Sequence, residues 1–294
     1  PTSPVPAPGS TATAGLSPSP RSAAEQETQP GYTPPGTPPL LAEVLPANLF
    51  YRQKEGERSP RTDVLVVPPG GSLPEEKTDL LFIHAHPDDE SLDFAGLLDL
   101  AARRGLRTTV VLFTDGESGL DQYPDRRADT LYAAHEMEGL RLATVRVDEA
   151  RRALSVLGAT HYVRLGLPNH PYGGIIDELS VSEVLRRWGD EAVLIRLARL
   201  LIEHFQPALV VSSDFDVEAY EHFEHKAVGH IVREAVLGMG EKGPRYIVSV
   251  DPFQRKIESA TLTVDMMAKM SPAKEVPRRT QITALLEHRT QADA

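Results

Sequence analysis

The residues best equipped for chemistry are His86, Asp88, Asp89 and Glu90 of the run His86-Pro87-Asp88-Asp89-Glu90. Leu80-Leu81-Phe82-Ile83 before it reads as a short buried strand that Pro87 stops. Ser91 to Arg104 after it has Leu92, Ala95, Leu98 and Ala102 at helical spacing and ends at Gly105. An imidazole and two carboxylates thus leave the carboxyl end of a strand together, where open α/β sheets build their sites. His86 and Asp89 could hold a metal ion, with Asp88 free to handle protons. The bland reading is a helix N-terminus, where Asp satisfies free backbone N–H groups.

A second polar cluster, Tyr220-Glu221-His222-Phe223-Glu224-His225, follows the strand-like Ala208–Ser212 and runs into a helix at 224–237. If these two strands are neighbours, His225 faces His86 and Asp89. Two His and one Asp leave a coordination position open for water, the pattern of a catalytic rather than a structural zinc. Asp88 could then accept a proton from that water and return it to a departing amine. His222 or Tyr220 could stabilise an oxyanion. His84, His161, His204 and His230 read as locally satisfied structural residues, and Gly116 and Gly119 lack the Lys of a phosphate loop.

The elements that must position these groups alternate. Strands are expected at 108–113, 161–167, 208–212, 245–250 and 260–264, and helices at 126–142, 147–157, 191–205, 224–237 and 281–288. Repeated βα units imply an α/β fold with a mostly parallel sheet flanked by helices. The 294 residues carry a net charge of −11 without a long basic run, which argues against a nucleic-acid partner. There is no cysteine, so thiolate sites and disulfides are excluded. No apolar stretch approaches the roughly 20 residues of a membrane span.

Eleven of the 25 prolines lie in residues 1–40, with only three charged residues among them. Residues 1–45 are therefore expected to be a disordered Pro-rich tether, 46–77 a transitional extension with an edge strand near Val64–Val67, and 78–294 the catalytic domain. The first residue is Pro1 rather than Met, which points to a processed or engineered form. A tether of this composition suggests an extracytoplasmic protein, tethered or free, with a cytoplasmic one as the alternative.

The HPDDE run after the first buried strand, with the distant Tyr-x-His-x-x-His run, resembles the LmbE/PIG-L family of zinc-dependent N-acetylglucosaminyl deacetylases. Thr114-Asp115-Gly116-Glu117-Ser118-Gly119, Arg146-x-x-Glu149 with Ala153 and Leu157-Gly158, and His288-Arg289-Thr290-Gln291 resemble further family features in the same order. The resemblance spans about residues 79–291. It implies a Rossmann-like fold and a hydrolase that removes acetyl from an N-acetylated amino sugar or glycoconjugate, a small-molecule substrate. It also implies His86, Asp89 and His225 as ligands of Zn2+ (Fe2+ being an alternative), Asp88 as general base, and His222 and Tyr220 at the oxyanion. Arg146 matches a family arginine that contacts substrate. Glu224 stands where the family often has Asp, and Asn169 where many members have Asp, so the setting of His222 and one contact to sugar hydroxyls are expected to differ. These departures leave a non-catalytic glycan-binding protein on the same scaffold as the alternative. A phospho-acceptor receiver domain is disfavoured by the length of the chain and by the distant His pair. Which sugar is taken, and the oligomeric state, are not legible; discrimination is expected in the loops 117–145 and 168–190.

Overall fold

The computed structural model describes residues 63–119, 139–170, 180–213, 222–248 and 277–291. The strands are β1 (Leu65–Val67), β2 (Leu80–His84), β3 (Thr108–Thr114), β4 (His161–Leu167), β5 (Leu209–Ser212) and β6 (Arg245–Val248). The helices are α1 (Asp89–Leu92), α2 (Ala95–Arg103), α3 (Gly139–Leu157), α4 (Val181–Trp188), α5 (Glu191–Phe205), α6 (Phe223–Leu237) and α7 (Pro277–Leu285), with a 3-10 turn at Arg289–Gln291.

The six strands among the described residues are all parallel, in the order β1-β4-β3-β2-β5-β6. Both sheet faces are covered, so successive strand residues are buried on opposite sides. Leu80, Phe82, Val110 and Leu112 pack with residues of α2, α3 and α7. Leu81, Ile83, Val111 and Phe113 pack with α4, α5 and α6. This is the expected α/β architecture, including the edge strand near Val64–Val67.

From β2 the chain builds outward through β3 and β4, then crosses to β5 on the other flank of β2. The crevice at such a reversal, beyond the carboxyl ends of the strands, is where this topology places ligands. Leu80–Ile83 pair in register with Leu209–Ser212, so the segments after β2 and β5 emerge side by side.

Several local expectations change. The single helix after HPDDE is broken at Asp93–Phe94; Phe94 is fully buried, whereas Leu92, counted on the apolar face, is exposed. The expected gap between helices at 142 and 147 is absent, because α3 runs unbroken from Gly139. Within the expected loop 168–190 lies α4, started by a capping box in which Ser180 and Glu183 satisfy each other's backbone N–H groups. The last helix is α7, four residues earlier than expected, followed by the 3-10 turn. The tether (1–45), most of the 126–142 helix and the 260–264 strand lie outside the described residues.

Candidate active site

β2 ends at His84, and the next residues enter the crevice. His86 and His225, the latter from the first turn of α6, approach with Nδ1 and Nε2 3.0 Å apart. Asp89 sits against both: its Oδ1 is 3.2 Å from His225 Nε2, and its Oδ2 is 3.6 Å from His86 Nδ1. One ring nitrogen each of His86, His222 and His225 also lie within 4.8 Å of one another, and one ligand atom each of His84, Asp93 and His225 do the same. The structure thus brings His86, Asp89, His222 and His225 together across 139 residues of sequence. Tyr220 lies outside the described residues.

The donor set suits a divalent ion. Donors around a tetrahedral zinc with bonds of about 2.0–2.2 Å are themselves about 3.3 Å apart. The two ring nitrogens, 3.0 Å apart, are close to that spacing, and each has one Asp89 oxygen near it, Oδ1 at 3.2 Å from His225 and Oδ2 at 3.6 Å from His86. Two imidazoles and a carboxylate suit zinc or iron.

Each of these groups is held from behind. Asp89 Oδ2 accepts the His86 backbone N–H at 2.7 Å and an ion pair from His84 Nδ1. His84, fully buried, reaches Asp93 with its other nitrogen at 2.9 Å, so it orients Asp89 from within the strand. His86 Nε2 meets Glu224 Oε2, which leaves Nδ1 facing His225 and Asp89. The Glu224 carboxylate, buried at the start of α6, also accepts from Asn169 Nδ2 at 2.6 Å and from the His170 backbone N–H at 2.9 Å. His170 Nδ1 is 2.5 Å from Glu224 Oε1. The carboxylate at 224 therefore serves His86 through its longer reach. Asn169 is turned inward, its carbonyl accepting from the Ser118 backbone at 3.0 Å. An acid at 169 would face the Glu224 carboxylate, so the two departures from the family pattern fit each other.

The electrostatics follow this layout. Burial drags the His86 imidazole down, but its bonds to Asp89 and Glu224 outweigh that and raise it to about 9. Burial would lift Asp89, yet His225 and His84 hold it well below the usual carboxylate range. Burial likewise opposes ionisation of Glu224, and the bonds from His170 and His86 overcome it, keeping the carboxylate well below 4.5. His222, by burial first and then the charges of His86 and His225, falls to about 3 and is a neutral imidazole. Asp88 is pushed up by burial, with Arg146 pulling against the rise.

Arg146 lies where sequence reasoning alone could not place it. It is buried on α3, and its guanidinium donates to Pro87 O at 2.5 Å, to Asp88 Oδ2 at 3.1 Å and to Gly116 O at 3.0 Å. Its described contacts are thus to the Asp88 loop and to the turn after β3. The glycines of that turn make room for it. Gly116 has φ +71°, and a Cβ there would lie 2.3 Å from Arg146 Nη1; one at Gly119 would lie 2.6 Å away.

Residues 81–236, just over half the chain, match the family model PIG-L, GlcNAc-PI de-N-acetylase. A 1D-myo-inositol 2-acetamido-2-deoxy-alpha-D-glucopyranoside deacetylase of Mycobacterium sp. strain KMS is 34% identical over 163 residues, covering 53% of this chain and 49% of the relative. One of the same name from Actinosynnema mirum is 41% identical over 87 residues, 30% of this chain and 29% of the relative. The chain spans about half the length of the first of these. Among solved structures, the N,N'-diacetylchitobiose deacetylase of Pyrococcus horikoshii superposes with a TM-score of 0.46 at 18% identity, covering 73% of this chain and 70% of that one. The extracytoplasmic location suggested by the Pro-rich stretch is overturned by the Mycobacterium and Actinosynnema relatives, which are named for deacetylating an inositol glycoside. Among the described residues no helix is long and apolar enough to cross a membrane.

Proposed function

The chain belongs to the PIG-L (GlcNAc-PI de-N-acetylase) family, and from that premise we propose that it is a metal-dependent hydrolase that removes acetyl from an N-acetylglucosaminyl substrate. The observation that carries the reading is the convergence of His86, Asp89 and His225 beside Asp88 at the switch point of the sheet. The relatives' substrate points to a glucosaminide with an inositol aglycone as the first compound to try.

His86, Asp89 and His225 would hold the ion, zinc or iron. Bound there, it would supply Lewis acidity, polarising a carbonyl oxygen and making water a stronger acid near neutral pH. Asp88 takes the proton of the attacking water and hands it to the amine as the C–N bond breaks, so acetate and a free amine leave. Its raised pKa suits both halves of that exchange. Arg146 keeps the Asp88 carboxylate in place through its 3.1 Å contact. His222, neutral beside His86, offers an N–H to the developing oxyanion, and Tyr220 from the preceding segment is the second candidate for that task.

The test is acetate release from a panel of N-acetylglucosaminides by protein of defined zinc or iron content. Hydrolysis of one member, lost by about 10²–10⁴-fold in Asp88→Asn at unchanged metal content, is the expected outcome. Glycan binding without turnover across the metal-loaded panel would instead identify a non-catalytic member of the family.

A further inference from the structure

Asp88 has a backbone that its sequence does not favour. Its φ of 116° lies far from the small left-handed region open to non-glycine residues. The only other positive-φ non-glycine among the described residues is Gln206, an ordinary left-handed helix cap at 49°. A strained residue at a site persists only where its surroundings over-determine it.

Those surroundings come largely from the far end of the chain. Glu90 Oε2 accepts the Asp88 backbone N–H at 3.0 Å. Its Oε1 accepts from Ser91 Oγ at 2.8 Å and is 2.6 Å from His288 Nε2. Glu90 and His288 are both buried. The turn that carries His288 is itself anchored: Thr290 donates its backbone N–H and its hydroxyl to Glu149 at 3.0 and 2.6 Å. Gln281 of α7 donates to the Ser91 and Leu92 carbonyls, both at 3.1 Å. Glu149 lies one helical turn beyond Arg146, which grips the Pro87 carbonyl and the Asp88 carboxylate from the other side.

We propose that His288 is a positioning residue for Asp88, acting through Glu90: the His288–Glu90–Asp88 chain of contacts holds the strained backbone that presents the Asp88 carboxylate. This rests on the hydrolase reading above. The hydrogen-bonding contacts of His288 Nε2 are to Glu90 Oε1 and Ser91 Oγ, so its hold on Asp88 runs through Glu90. Its loss lets the Asp88 peptide relax and misplaces the proton-transferring group, while the His86, Asp89 and His225 donors stay together.

The experiment compares wild type, His288→Ala and His288→Gln as metal-loaded full chains, on whichever acetylated glucosaminide the wild type hydrolyses. Misplacing a reacting group by about 1 Å costs on the order of 100-fold. The expected result is therefore a kcat lower by about 10–100-fold in His288→Ala, with KM and bound metal within about threefold of wild type. In His288→Gln, whose amide can still donate to Glu90, most of that kcat returns. A folded His288→Ala with kcat within about twofold of wild type overturns the proposal, as does a loss confined to KM or to metal content. If His288→Ala does not fold, Glu90→Gln carries the same test: kcat falling at constant KM supports the chain of contacts, and an unchanged kcat refutes it. A wild type inactive on every panel member sinks the hydrolase reading, whereas an active wild type with unaffected variants sinks only this inference.

Discussion

Two pairs within five residues of the HPDDE run belong to different neighbourhoods. His86 and Asp89 face α6, where their partners are His225, Glu224 and, from inside the sheet, His84. Asp88 and Glu90 face α3 and the C-terminal turn, where Arg146 and His288 meet them. The first neighbourhood gathers imidazole nitrogens and carboxylate oxygens at 3.0–3.6 Å, a spacing suited to a shared cation. In the second, acids are matched by an arginine, an imidazole and backbone donors, a spacing suited to holding one carboxylate still. One short motif thus separates binding an ion from aiming a proton acceptor, by sending alternate side chains to opposite walls of the crevice.

If that division holds, damage to one wall should leave the other's property intact. The largest effect is expected for His225→Ala, which removes a donor without touching the Asp88 wall: stoichiometric zinc binding, followed by metal analysis after dialysis, should be lost, and acetate release with it. Retention of one tightly held ion by that variant would break the comparison.

Glu224→Gln should act more mildly and on the same wall. Outer partners of metal-ligating histidines typically carry about 10–100-fold in metal affinity. Zinc titration against a competing chromophoric chelator should show a loss of that order, with KM for the acetylated substrate little changed once zinc is saturating.

The smallest effect is on stability in acid. The folded protein holds Glu224 well below its ordinary 4.5. Its stabilisation is therefore complete above that value and is lost as pH falls below 4.5 toward the depressed value. For a single carboxylate this is on the order of 2 kcal/mol. Metal-free wild type should lose thermal stability below about pH 4.5 more steeply than Glu224→Gln; equal slopes would show that another group sets the acid limit.

The same division shows what a linear sequence displays. The strand before HPDDE and the helix after His225 follow from apolar periodicity and turn residues, which are local; the pairing of β2 with β5 joins residues 129 apart and entered the sequence reading only as a condition. The partner of Glu224 is not local: whether it serves His222 or His86 depends on the extra reach of its side chain and on Asn169, 55 residues away. Arg146 matches a motif, but its burial against Pro87 and Gly116 is set by how α3 crosses the sheet end. His84 was legible only as a locally satisfied structural residue, since nothing in its neighbours announces that Asp89 folds back onto it. The break at Asp93–Phe94 was hidden because a helical stripe does not reveal which member turns inward as a wedge. The start of α4, by contrast, was written in Ser180-x-x-Glu183 and could have been read.

Anomalous diffraction at the zinc edge, from crystals of the zinc-loaded protein, would locate the ion directly. A single strong peak is expected, with His86 Nδ1, His225 Nε2 and an Asp89 carboxylate oxygen each about 2.0–2.2 Å away. A peak elsewhere on the chain, or one that leaves any of these three residues outside bonding distance, would contradict it.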